Sequence, residues 1–313
     1  MIDNRTFDYD FPPYRPPNEA SSALIRASRG CPWNKCLFCT MYKNLKFKLR
    51  SVEDIKRDID KAAEIYKGAK TVFIADSDSL VMKNIGDIIK HIKLRFPDSD
   101  RITSYARAKT LMKLGSERLK EIKEAGLTRV HVGLESGDKK TLEFLQKGVT
   151  PEEMIFGGKA AKSAGLELSF YILIGAGGKD RLEEHAIESA RICNEVNPDF
   201  IRLRTLVVQH GSLLEEKKNS GEYKPTSPIG KLKEVKILIE NLEVNHCELA
   251  SDHFTNNIWV NNSVVYKGVY GILPQEKQDM LEILDHTLDF LSVIEGEILD
   301  ATILYERGII NSL

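Results

Sequence analysis

Two rhythms of apolar and polar positions alternate along this chain. Short continuous apolar runs, the mark of strands buried on both faces, recur at 24–27, 71–75, 101–105, 129–133, 168–174 and 200–207. Between them lie stretches with helical spacing, at about 51–67, 83–95, 116–125, 138–146, 151–164 and 180–196. Ser51 with Asp54 three residues on is a helix-start signature, and Gly126 and Gly165 close two of the later helices. Six strands separated by helices predict a parallel sheet with right-handed crossovers. Folds of this kind gather their chemistry at the C-terminal ends of the strands.

The flanks break the rhythm. The run Phe11-Pro-Pro-Tyr14-Arg-Pro-Pro17 predicts an extended arm over 1–20, because Pro removes backbone donors and blocks helix. Beyond 211 the pattern predicts a charged helix at about 230–243, then the polar run Ala250-Ser-Asp-His-Phe-Thr-Asn-Asn257 and a Gly-, Val- and Tyr-rich stretch to Leu273. Pro274 opens a final helix, 275–293, and the apolar residues 301–305 read as packed. The expected parts are an arm (1–20), a strand–helix core (21–215) and a C-terminal extension (216–313).

Length and charge narrow the function. A chain of 313 residues can bury a large core. Its 45 basic and 46 acidic residues leave a net charge of −1, which argues against broad electrostatic binding of nucleic acid. The run Lys43, Lys46, Lys48 and Arg50 is the local exception and reads as a solvated edge. Nowhere do ~18 apolar residues follow one another, so no membrane span is expected. The start, Met1-Ile-Asp-Asn-Arg5, lacks the apolar segment of a secretory leader, and five cysteines are too few and odd in number for a disulfide framework. Together these imply a reducing cytoplasm.

Three of the cysteines fall within nine residues, Cys31-Pro-Trp-Asn-Lys-Cys36-Leu-Phe-Cys39, spaced C-x4-C-x2-C. Three such thiolates can hold three irons of a [4Fe–4S] cube and leave the fourth without a protein ligand, whereas an electron carrier normally uses four cysteines. Structural zinc needs four protein ligands. No histidine precedes His91, and Cys193 and Cys247 lie far along the chain. An iron–sulfur electron-transfer or sensing module and a zinc-stabilised binding protein remain the alternatives to an enzyme.

Arg29-Gly-Cys31 with Cys36 and Cys39, placed after the first strand of a repeated βα unit, resembles the radical SAM superfamily. Within it the chain looks most like the branch of the elongator catalytic subunit, the methylthiotransferases and oxygen-independent coproporphyrinogen oxidase. Val132-Gly-Leu-Glu135-Ser-Gly137, with Lys147-Gly148 beyond, supports this. The usual spacing is C-x3-C-x2-C; this loop carries one extra residue. The resemblance implies a partial (β/α)6 TIM-like barrel with parallel strands, over about 20–215, plus a C-terminal α/β extension capping it. It also implies an oxygen-sensitive [4Fe–4S] cluster on Cys31, Cys36 and Cys39, with S-adenosylmethionine (SAM) on the open iron. Reductive cleavage of SAM would give methionine and a 5′-deoxyadenosyl radical that takes hydrogen from an unidentified small or medium-sized substrate, with electrons from a donor such as flavodoxin or ferredoxin.

The resemblance also assigns residues. Phe38 would pack on adenine, and Gly175 would let the backbone approach it. Asp76, Ser77 and Asp78 would meet the SAM amino group, although the same residues suit a helix cap. Tyr105 and Arg107 end the third strand, within reach of ribose or carboxylate. Glu135 would accept from ribose hydroxyls, and Lys147 would pair with the SAM carboxylate or, alternatively, compensate a helix dipole. Arg202 and Arg204 share one face of the sixth strand by period two, with Arg202 taken as facing SAM. Tyr42, Asp252 and His253 are candidates for the substrate side. No second cysteine group accompanies the motif, so no auxiliary cluster is expected, nor a cobalamin or acetyltransferase domain.

Overall fold

The computed structural model describes residues 7, 9, 11, 13–261 and 263–310. The other arm residues, and with them the leader reading at 1–5, lie outside the described residues. By density of internal contacts the chain divides into two compact units. The first comprises Met1–Asn34, Tyr42–Val132 and Phe156–Leu168; the second comprises Lys35–Met41, Gly133–Ile155 and Ser169–Leu313.

In the first unit the strands are β1 (Ala23–Arg26), β2 (Ser28–Arg29), β3 (Lys48–Leu49), β4 (Thr71–Ala75), β5 (Arg101–Tyr105) and the start of β6 (Arg129–Glu135). Strands β1, β4, β5 and β6 lie side by side in that order, all parallel. The registers Arg26↔Ala75 and Tyr105↔His131 bring their C-terminal ends to a common edge. The short antiparallel pair β2–β3 brackets the cysteine segment.

The helices follow their sequence signals. Ser51 caps α1 (Val52–Ile65), its side chain accepting from the Asp54 N–H at 3.1 Å. Ile55, Ile59 and Ala62 form the buried stripe of α1, and each isoleucine contributes about 2–3 kcal/mol by leaving water. Helix α2 (Ile85–Arg95) buries Ile85, Ile88, Ile89 and Ile92. Helix α3 (Ala108–Glu124) starts eight residues earlier than the pattern predicts and breaks at Gly115, where φ is +69°. Lys109, Lys113 and Gly115 interrupt the apolar spacing of its first half, which hid it in the sequence.

The described part of the arm is fastened onto β1. The Arg26 guanidinium lies 4.1 Å from the Phe11 ring centre and 4.8 Å from that of Tyr9, and donates to the Phe11 carbonyl at 2.7 Å. Glu19, in the turn Pro17–Glu19, is fully buried; its carboxylate accepts from Ser22 at 2.5 Å and meets His131 Nε2 at 3.2 Å.

The second unit holds most of β7 (Glu167–Ile174), then β8 (Phe200–Thr205), β9 (Cys247–Ala250), β10 (Ile258–Val260), β11 (Ser263–Tyr266), β12 (Tyr270–Leu273) and β13 (Ile298–Asp300). Strands β7, β8 and β9 are parallel neighbours, and β12 closes their edge antiparallel to β9. Strands β11, β10 and β13 form a separate antiparallel sheet. The helices are α4 (Lys139–Phe144), α5 (Pro151–Ser163, whose C-terminal part belongs to the first unit), α6 (Leu182–Val196), α7 (Leu213–Asn219), α8 (Pro228–Glu240), α9 (Lys277–Val293) and α10 (Ala301–Glu306). Parallel strands alternating with helices give the α/β architecture that the hydrophobic pattern predicts. Strand β9, from the region beyond 215, continues the parallel run; four residues are too few for a legible period. Among the described residues no helix is long and apolar enough to cross a membrane.

Candidate functional site

In the first unit the candidate residues gather where β1 and β4 end. After β2 the chain turns at Gly30 (φ +84°) into Cys31. Asp76 and Ser77, directly after β4, hold this turn: the Gly30 N–H donates to Asp76 Oδ2 at 3.2 Å, and Ser77 Oγ donates to the Gly30 carbonyl at 2.8 Å. Asp76 is fully buried and also faces Arg26 Nε at 3.6 Å. These two residues therefore fix the backbone entering the cysteine loop. Asp78, also fully buried, accepts from Thr110 Oγ1 at 2.6 Å and fastens the start of α3. Burial pushes its carboxyl up to about 6, opposed by the Thr110 hydroxyl and by the backbone N–H and charge of Arg107.

Arg107 is the N-cap residue of α3, and its guanidinium lies 5.2 Å from the ring centre of Trp33, between Cys31 and Cys36 in the chain. Tyr105 packs edge-on against Phe73, centroids 5.1 Å apart. Tyr42 is buried against Phe11 and Tyr14 as part of the loop's aromatic support.

In the second unit, Leu37 clamps the other two cysteines. Its N–H donates to the Leu145 carbonyl and its carbonyl accepts from the Leu214 N–H, both at 3.0 Å. The Cys39 N–H reaches the Cys36 carbonyl at 3.3 Å, closing a tight turn. Leu37 enters an apolar cluster with Leu145, Ala176, Leu206, Val208, Leu214 and Tyr223, and Phe38 packs on that cluster. Phe38 and the loop Gly175–Ala176 are thus brought together. Gly175 (φ +91°) is held from both sides: its N–H donates to Glu234 Oε1 at 2.8 Å, and its carbonyl accepts from Tyr223 OH at 2.7 Å. Glu234, on α8, is fully buried and lies 3.1 Å from His185 Nδ1. Burial alone would lower the His185 pKa, but the charge of Glu234 and the Glu135 carbonyl outweigh it, and the pKa is raised.

Glu135 and Lys147 meet in an ion pair at 2.7 Å, each side chain only 13–14% exposed. Glu135 holds a left-handed backbone, φ +62°. The glycines around it have steric causes. A Cβ on Gly133 would stand 2.0 Å from Glu135 Oε1 and 2.9 Å from Lys147 Nζ, and one on Gly137 would stand 2.1 Å from the Glu188 carbonyl oxygen. Asp138 then caps α4 and takes Arg181 bidentately at 2.7 and 2.9 Å. Despite burial, Arg181 and Thr141 hold its carboxyl at about 2.

Arg202 and Arg204 share one face of β8, but their partners differ. Arg202 is paired with Glu248 on β9 at 2.7 Å. Arg204 lies over the Tyr171 ring, 5.6 Å from its centre. His253 opens the turn Phe254–Asn256, its Nδ1 accepting from the Thr255 N–H at 3.3 Å. Burial, then the charge of Arg204, lowers its pKa to about 4, with Asp252 opposing. The ring is neutral at pH 7, and with Nδ1 accepting, its proton sits on Nε2. Asn256 anchors the turn, its Nδ2 donating to the Leu203 and Ser251 carbonyls, both at 2.9 Å. Asp252 is exposed.

All five cysteines are free thiols; Cys31, Cys36 and Cys39 are partly exposed, whereas Cys193 and Cys247 are buried. Among the described residues, no three or more His, Cys, Asp or Glu side chains stand gathered as a metal centre. The donor chemistry of the loop fits an iron–sulfur cluster: three free thiols, one already accepting a backbone N–H, from Asn34 to Cys31 Sγ at 3.4 Å. The Glu135–Lys147 pair fits a ligand carrying hydroxyls and a carboxylate. Sequence reasoning passed over Asn34, Trp33, His185 and Glu234. Glu234 sits in a charged helical pattern, and only the fold buries it.

Comparison with known proteins gives the same direction. The family model described as Radical SAM superfamily matches residues 25–189. An uncharacterised methyltransferase of Pyrococcus horikoshii is 28% identical over 197 residues, 62% of this chain and 41% of that protein. The tRNA uridine(34) acetyltransferase of Methanocaldococcus jannaschii is 28% identical over 112 residues, 36% of this chain and 21% of that one. The chain thus spans less than half the length of these curated relatives. The crystal structure of methylornithine synthase superposes with a TM-score of 0.51 at 18% identity, covering 72% of this chain and 64% of that one. That likeness shows the fold, the α/β partial barrel of such enzymes.

Proposed function

Because this chain belongs to the radical SAM superfamily, whose enzymes use a [4Fe–4S] cluster and SAM, we propose that it cleaves SAM reductively and that Cys31, Cys36 and Cys39 hold the cluster. When bound, the cluster and SAM together supply an electron-driven C–S cleavage to methionine and a 5′-deoxyadenosyl radical, which takes a hydrogen atom from a substrate still to be identified. The protein's task is to orient the cofactor and exclude water. The observation that carries the reading is the three-thiol loop: its entry at Gly30 is held by Asp76 and Ser77 within the first unit, and Leu37, between Cys36 and Cys39, is held within the second.

The contacts support the following roles for the remaining residues. Phe38 and the Gly175 loop form an apolar seat suited to adenine. Lys147 and Glu135 exchange each other for the SAM carboxylate and a ribose hydroxyl, so their pair is a stand-in that holds both groups ready. Tyr105 and Arg107, at the end of β5 and the start of α3 in the first unit, are candidates for ribose or carboxylate. Asp76 and Ser77 hold the Gly30 turn and Asp78 the start of α3, and on β8 Arg202, paired with Glu248, or Arg204 serves SAM. In the second unit His253, neutral with a donor on Nε2, serves the substrate side with Arg204, and the exposed Asp252 contributes charge; in the first unit Tyr42 acts through the loop it supports. Residues 21–215 make the catalytic core, which β9 and α8 of the extension 216–313 complete. The electron donor is a flavodoxin or ferredoxin, and the setting is the cytoplasm.

Electron paramagnetic resonance of the anaerobically reconstituted, reduced protein tests SAM binding. SAM changes the signal of the wild-type cluster. Lys147→Ala requires about 10–100-fold more SAM for the same change, the cost of losing one charge-assisted contact. A wild-type signal indifferent to SAM contradicts the reading and favours an electron-transfer or sensing role.

A further inference from the structure

The loop between Cys31 and Cys36 holds four residues, and one of them carries an unusual set of contacts. Asn34 has φ +51°, a left-handed backbone that costs most L-residues roughly 1–2 kcal/mol and that Asn tolerates. Its backbone N–H donates to Cys31 Sγ at 3.4 Å. Its side-chain Nδ2 donates to the Tyr42 carbonyl at 2.5 Å and the Leu45 carbonyl at 3.5 Å. Its own carbonyl accepts from Lys43 Nζ at 3.3 Å. Backbone, side chain and carbonyl thus all fasten the same residue.

We propose that Asn34 is the positioning residue of this C-x4-C loop: its left-handed backbone aims its own N–H at the Cys31 sulfur while its side chain ties the loop to residues 42 and 45. Two effects follow. The Nδ2 bridge to residues 42 and 45 keeps Cys31 near one orientation before metal arrives. The N–H···S hydrogen bond stabilises negative charge on a ligating sulfur, which favours the reduced cluster and raises its potential. Trp33, stacked by Arg107, braces the loop on the preceding residue.

The inference rests on Cys31 being a cluster ligand, and the test keeps the two claims apart. The full chain is reconstituted anaerobically as wild type, Asn34→Gly, Asn34→Ala and Cys31→Ala. Iron and sulfide content, rate of iron loss to a chelator, and cluster midpoint potential are measured, with folding followed by circular dichroism. Gly keeps the left-handed turn and loses the Nδ2 bridge; Ala loses both. Iron loss is expected to quicken about threefold in Asn34→Gly and tenfold or more in Asn34→Ala, whose cluster also titrates at a lower potential. Wild-type iron retention and potential in both variants overturn the proposal, as does Gly behaving no better than Ala. Full iron content in Cys31→Ala would instead overturn the ligand assignment beneath it.

Discussion

Replacing any one of Cys31, Cys36 and Cys39 by Ala abolishes SAM cleavage, a loss beyond about 10³-fold, or about 4 kcal/mol of barrier. Two remaining thiolates from the loop cannot hold three irons, and the other cysteines are out of play. Cys193 lies in α6 and Cys247 in β9, both fully buried, and burial raises the Cys193 thiol pKa well above its ordinary value. Cys193→Ala and Cys247→Ala therefore keep iron content and cleavage, and lose only packing. Iron analysis and product quantification on the five variants check this. A loop variant that keeps full iron and activity removes its cysteine from the ligand set.

Glu234→Ala destabilises the chain by about 3–5 kcal/mol, because it leaves a buried imidazolium without its counter-charge and the Gly175 N–H without an acceptor. Glu234→Gln keeps an acceptor and costs less. The two differ in pH dependence. The folded pKa of His185 is raised above 6.5. Stability from its pair with Glu234 is therefore fully present below 6.5 and is lost as pH rises through the raised folded value. The gap between wild type and Glu234→Gln in urea denaturation is widest below pH 6.5 and narrows above it. The Gly175 loop loosens with the same change, so SAM affinity falls too. A gap independent of pH would mean that His185 is neutral in the folded chain.

Much of this was legible in the sequence for identifiable reasons. The runs at 71–75 and 101–105 match β4 and β5, because a buried parallel strand needs apolar residues on both faces. Ser51 marked α1 through a local hydrogen bond that needs no tertiary context. The glycines of Val132-Gly-Leu-Glu135-Ser-Gly137 could be seen as a motif, but their cause could not: Gly133 makes room for an ion pair and Gly137 for the backbone of α6. Contacts between residues far apart in sequence were invisible. His185 and Glu234 are 49 residues apart, and Arg202 meets Glu248 across two strands. The different partners of Arg202 and Arg204 were therefore invisible in the sequence. The extra residue between Cys31 and Cys36 was visible as a departure in spacing, whereas the left-handed conformation of Asn34 was not.

Three thiolates are expected to hold a cluster at which SAM is cleaved. The most direct test is the anaerobically reconstituted wild-type protein with dithionite and SAM, analysed for 5′-deoxyadenosine and methionine. Both products are expected in equal amounts, dependent on dithionite and absent from Cys36→Ala. A protein loaded with four irons that forms neither product, or one that retains zinc in place of iron, would contradict this expectation.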